Sequence, residues 1–185
     1  ALAKDRGDDS CRETIGLPLA LGMYELAPLW HTIFRRLGFR VILTGQSTKE
    51  IYAKGHFSIP SDTACYPAKL MHGHVQTLLD MGVDAIFYPC LTYNMDEKCG
   101  VNHYNCPVVA YYSELLAGNT EELSKIKFLY PYLNINDEKQ LAIELYEYLS
   151  KYFDGIKKSE VKAAVAAGTA AYREWMRDIY KAGSA

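Results

Sequence analysis

The chain has 185 residues, 49% apolar and 23% charged, with a formal net charge of −2. That is enough chain for one domain with one good core, and the charge balance speaks against a protein built mainly to hold nucleic acid or an anionic membrane. No apolar run reaches the roughly 18–20 residues that cross a bilayer, the opening ALAKDRGDDS is too polar for a signal peptide, and an odd set of five cysteines, at 11, 65, 90, 99 and 106, suits a reducing cytoplasm better than disulfide stapling.

Residues 1–13 read as a linker, and 14–185 as a single α/β domain excised from a larger multidomain protein. A first strand is expected over 14–20 and a helix over 23–37, where Leu26, Leu29, Trp30, Ile33, Phe34 and Leu37 recur at helical spacing. Pro28 falls early in that helix, where proline is tolerated, and Gly38 stops it. Residues 39–44 (FRVILT) form a buried strand. Ser47 caps the next helix, which ends at Gly55. A longer helix covers about 64–81, and DAIFY at 84–88 is the third strand. A polar loop runs over 91–105, and PVVAY at 107–111 is expected as the fourth strand. Residues 127–133 (KFLYPYL) look extended, and 137–153 and 159–181 read as two C-terminal helices. Such alternation predicts a mostly parallel sheet covered by helices, flavodoxin-like or Rossmann-like. Neither GxGxxG nor GxxxxGK[ST] occurs, so the sequence shows no dinucleotide fingerprint and no P-loop.

Chemistry, if the chain has any, centres on Cys65 in SDTACYPAKLMHGH. Asp62 or Thr63 can cap the helix there and Pro67 fits its first turn, which puts Cys65 at a helix start. Free N–H groups and the helix dipole favour negative charge at that position, and a thiolate is both metal ligand and nucleophile. At about 100° per residue, Cys65, Lys69, His72 and Gln76 share one face, while Met71, Val75, Leu78 and Leu79 share another that should meet the core. The plainer alternative stands beside this: Cys65 as a packed small hydrophobe, with His72 and His74 on the surface.

Cys90 lies just beyond the third strand, at the sheet edge where ligands bind in open α/β folds. The start of the Cys65 helix is expected at the opposite edge, unless the stretch over 55–63 carries it back. Cys106, taken to open a strand, also falls at that opposite edge, although the 91–105 loop can bring His103 or Cys106 round. Cys99 and Cys11 read as incidental. Gaps of 25, 9 and 7 between successive cysteines from 65 to 106 contain no CxxC, which argues against a zinc knuckle. Dispersed iron–sulfur ligands remain open.

Taken together, IGLPLALGMYELAPLWHTIFRRLGFRVIL, SDTACYPAKLMHGHV, GVDAIFYPC and NHYNCPVV closely resemble the domain of unknown function found in large CoA-substrate-specific enzyme activases, related to the activators of 2-hydroxyacyl-CoA dehydratases. A fainter similarity reaches the dehydratase subunits. That resemblance implies that Cys65 and Cys90 match two ligands of the dehydratase iron–sulfur cluster, with Lys69 at a position usually basic. The third ligand then comes from outside this chain, unless Cys106 serves. Full-length activases resemble sugar-kinase-type ATPases joined to such a domain; nothing in this sequence carries an ATP site, so ATP hydrolysis is not expected of it.

Three functions are weighed. The first is an accessory domain in low-potential electron transfer to an acyl-CoA dehydratase or reductase in anaerobic metabolism, holding or contacting a four-iron four-sulfur cluster through Cys65, Cys90 and Cys106; its partners are that enzyme and the other domains of the parent activase. The second is a cluster-free domain for protein interaction or small-ligand binding, with structural cysteines and a surface built from His72, Asn102, His103 and Asn105. The third is a thiol enzyme using Cys65 with His72 or His103 as base. It ranks last because no acidic residue is evidently placed to orient either histidine.

Overall fold

The computed structural model describes residues 12–98 and 100–184; the expected linker, apart from its last two residues, and Cys11 and Cys99 lie outside them. The elements run β1 (Thr14–Leu17), α1 (Gly22–Glu25), α2 (Ala27–Arg36), β2 (Arg40–Leu43), α3 (Lys49–Gly55), α4 (Tyr66–Asp80), β3 (Ala85–Phe87), α5 (Pro107–Asn119), β4 (Lys127–Leu129), α6 (Glu138–Leu149) and α7 (Lys158–Gly183). The four strands form one all-parallel sheet in the order β2-β1-β3-β4. The expected α/β fold with two C-terminal helices is what the chain adopts, in the flavodoxin-like strand order.

Two differences from the sequence reading bear on function. The segment PVVAY is not a strand: it is the first part of α5, and the fourth strand is β4 in KFLYPYL. The β-branched pair Val108–Val109 and the nearby Tyr111 suggested a strand, but Pro107 stands at the helix start, where its missing N–H costs nothing. The second difference is direction. In a parallel sheet each crossover helix runs antiparallel to the strands, so it begins at their carboxyl edge. Only 81–84 separate the end of α4 from β3, and Asp84 meets the start of β1 by accepting from Thr14 N at 2.7 Å. Helix α4 therefore ends at the amino edge, and its 15 residues, about 22 Å at 1.5 Å each, return Cys65 to the carboxyl edge. Cys106, at the start of α5, arrives at the same edge.

β3 is buried on every residue, as an interior parallel strand should be. Phe87 anchors an aromatic cluster, with Trp30 and Phe34 at ring distances of 4.9 and 4.8 Å in edge-to-face geometry. The α2 side of the sheet is closed by α7, with α6 packed on α7; α3, α4 and α5 form a second packed group. α3 and α4 nearly touch backbones. A Cβ on Gly73 would lie 1.8 Å from the Ile51 carbonyl oxygen, and one on Gly55 would lie 2.2 Å from Gly73 N. This close crossing fixes the axis of α4 and thereby the place of Cys65.

Gly73→Ala should cost about 3 kcal/mol through overpacking against backbone and lower the melting temperature by roughly 6–12 °C. Gly118→Ala, where an added Cβ meets nothing within 4 Å, should leave it unchanged or slightly raised. Thermal unfolding of the two variants checks both.

Candidate functional site

Cys65 is the N-cap of α4 and Cys106 the N-cap of α5. Each precedes a proline in the first helical turn, Pro67 and Pro107. The Cys106 Sγ accepts a weak hydrogen bond from Val109 N at 3.5 Å; the Cys65 Sγ makes no such cap bond. Both side chains are exposed, and all three described cysteines are free thiols. Cys90 is buried and held rigidly beyond β3: its N donates to the Pro131 carbonyl at 2.8 Å, its carbonyl accepts from Leu133 N at 3.2 Å, and it bridges to Tyr132. The Cys90 Sγ lies 3.0 Å from Ser113 Oγ on α5. Burial pushes its pKa up, partly offset by hydrogen bonding from Ser113.

Tyr88 stands two residues before Cys90. The residue is 3% exposed and its hydroxyl has no hydrogen-bond partner among the described residues. Burial drives its pKa well above that of an ordinary phenol, and Cys90, Tyr112, Cys106 and Cys65 each push in the same direction. The thiols from three separate segments are thus electrostatic neighbours of one buried phenol. The same edge carries local strain. Leu21, between β1 and α1, has φ 51° and ψ −142°, a region for glycine rather than leucine, and such strain tends to collect at functional sites. The next residue, Gly22, faces α5: a Cβ there would lie 3.3 Å from Val109 Cγ1.

The remaining candidates divide into supports and outliers. His72 is 1% exposed, with Nδ1 2.8 Å from Ser58 Oγ and Nε2 2.9 Å from Tyr112 OH. His74 is 0% exposed, with Nε2 2.9 Å from Ser47 Oγ and Nδ1 2.6 Å from Thr44 Oγ1. Neither is a surface histidine; each ring ties α4 to a neighbouring segment. The core face of α4 does include Met71, Val75 and Leu78, as expected. Lys69 Nζ donates to the Asp62 carbonyl at 2.9 Å, fixing the turn before Cys65, and Gln76 bonds Asp80 at 3.1 Å. Asn105 Nδ2 closes the 91–105 loop on the Leu91 carbonyl at 2.9 Å, and Asn102 Oδ1 accepts from Tyr104 N. His103 stacks near Tyr93 and lines a cleft against α7. Sequence reasoning missed Tyr88, Tyr112, Ser113 and Tyr132. The usable signal was the YPC tripeptide, which sets an aromatic hydroxyl beside a cysteine at a strand end.

Among the described residues, no three His, Cys, Asp or Glu side chains stand close enough to share one metal ion. A zinc-type centre crowds all its ligands on a single ion. Ligands of an iron–sulfur cluster stand wider apart, each on its own iron, and the orphaned Tyr88 hydroxyl is a donor suited to a sulfur acceptor.

The model of the CoA enzyme activase uncharacterised domain matches residues 14–185. The chain belongs to that family. No curated protein and no solved structure matches this activase domain. None of the described helices is long and apolar enough to cross a membrane.

Burial lowers the pKa of both His72 and His74 to about 4. Both are neutral in the native state, while the unfolded chain takes up protons near 6.5. Stability is therefore full above about pH 6.5 and falls as the pH drops toward 4, by up to about 2.7 kcal/mol per pH unit for two protons. Urea unfolding across this window should show that slope, and His74→Asn should roughly halve the part due to histidine.

Proposed function

We propose that this activase domain contributes Cys65, Cys90 and Cys106 as ligands to an iron–sulfur cluster that serves low-potential electron transfer toward a 2-hydroxyacyl-CoA dehydratase-type partner. One observation carries the reading: three thiols from separate segments reach one edge of the sheet, and each raises the pKa of the buried Tyr88 phenol, whose hydroxyl has no partner among the described residues. When bound, such a cluster supplies one-electron transfer. Two of the thiols sit at helix starts, where backbone N–H groups favour bound anionic sulfur. Ser113 Oγ lies 3.0 Å from Cys90 Sγ, and hydrogen bonds from Ser113 and Tyr88 to bound sulfur would raise a cluster's potential. Cys90 is buried, so metal ligation is what would draw off its proton. Three ligands from this chain leave a fourth position for another domain of the parent activase or for a non-protein ligand.

The exposed tyrosines on the segments around this edge, Tyr66, Tyr104 and Tyr132 at 55, 62 and 53% exposure, favour the second reading, a cluster-free docking domain. Anaerobic incubation with iron and sulfide separates the two. The cluster reading expects stoichiometric iron and sulfide, with thiolate-to-iron charge-transfer absorbance. Cys65→Ala and Cys106→Ala should each cut iron retention at least about tenfold, and Tyr88→Phe should keep the iron but shift the reduction potential to more negative values. A Cys65→Ala protein that reconstitutes as well as its parent would rule the cluster out.

A further inference from the structure

A second concavity lies on the α7 side of the 91–105 loop, and none of the three thiols lines it. It has a volume of about 540 Å³, within the range of small-molecule sites, about 300–1,000 Å³. One wall is a single face of α7, since Thr169, Tyr172, Arg173, Met176, Arg177 and Tyr180 follow at steps of three and one. The opposite wall is the loop itself, with Met95 and His103. We propose that this cleft binds a small organic oxyanion with a flat apolar body.

Three features support a ligand here. Thr169 lines the cleft, is 3% exposed, and its buried hydroxyl has no hydrogen-bond partner among the described residues. Three cations and three carboxylates line the cleft, the carboxylate of Glu97 being engaged by the Tyr180 hydroxyl. Arg173 pairs with Glu138 at 3.1 Å and Lys98 with Asp96 at 2.5 Å, but Arg177 has no ion-pair partner among the described residues. A guanidinium offers a fork of donors that fits carboxylate or phosphate. The body of the cleft is soft and aromatic: the Tyr172 hydroxyl is engaged with Glu25 at 3.0 Å and the Tyr180 hydroxyl with Glu97 at 3.1 Å, and Met95 and Met176 supply adaptable thioethers against a ring. The loop forming one wall begins just after Cys90 and ends at Cys106, so an occupant would also steady the segment between two of the thiols.

Calorimetric titration of the iron-free protein with AMP, benzoate, adenosine and inorganic phosphate tests this independently of any cluster. AMP or benzoate should bind saturably, at least about tenfold tighter than adenosine or phosphate alone, and the better of the two tells phosphate from carboxylate. Arg177→Ala, an exposed position whose folding circular dichroism can verify, should weaken that binding at least about tenfold. Thr169→Val should weaken it less. The proposal is overturned if neither anion binds at millimolar concentration, if adenosine binds as tightly as AMP, or if Arg177→Ala changes nothing.

Discussion

The direction of the sheet is the constraint on which the site depends. With every strand parallel, each connecting helix must start at the carboxyl edge, and so must every loop that leaves a strand. Cys65 and Cys106 cap two such helices, and Cys90 leaves the central strand β3. Segments far apart in sequence therefore deliver their sulfurs to one edge without any contact between them being required. The strand order β2-β1-β3-β4 puts the change of winding direction between β1 and β3, and the strained turn after β1 and the YPC segment after β3 flank that point. This is where an open α/β sheet offers a crevice.

Packing makes the placement rigid. The Gly55–Gly73 crossing leaves α4 little freedom to slide, and Gly168 plays a similar part for α7, since a Cβ there would lie 2.6 Å from Ile33 Cγ1 and 2.8 Å from the Leu29 carbonyl oxygen. The buried histidine contacts of α4 are neutral ones, while its exposed end carries the Lys54–Asp80 ion pair at 2.7 Å. His72 joins Ser58 to Tyr112, and Tyr112 in turn lies within electrostatic reach of Cys65. Burial keeps both histidines uncharged, so they brace α4 without adding positive charge beside the sulfurs. The surroundings of the thiols are consequently rich in hydroxyls, a setting in which sulfur can be held by hydrogen bonds.

Much of this was legible in the residues. Alternation of apolar runs and helical stripes gave the fold class, and the Pro67 signal put Cys65 at a helix start. The same signal stands at Pro107 but is masked by the β-branched pair Val108–Val109, because α5 shows little amphipathic contrast and its period is hard to see. Misplacing that helix also misplaced Cys106. His72 and His74 looked like surface polar groups because burial of a neutral imidazole depends on partners from Thr44, Ser47, Ser58 and Tyr112, none of them close to it in sequence. Tyr88 escaped notice for a related reason: an unpaired hydroxyl is visible only once its whole shell is known.

The central claim is that Cys65, Cys90 and Cys106 serve one site. Protection mapping tests it most directly: the anaerobically iron-loaded protein is treated with iodoacetamide, and each cysteine's labelling is read by mass spectrometry against the iron-free protein. Cys90 is buried in the metal-free protein, so Cys65 and Cys106, both exposed, carry the information. The account predicts that iron slows labelling of both together, and that Cys65→Ala removes the protection of Cys106. Equal labelling of Cys65 and Cys106 with and without iron would contradict it.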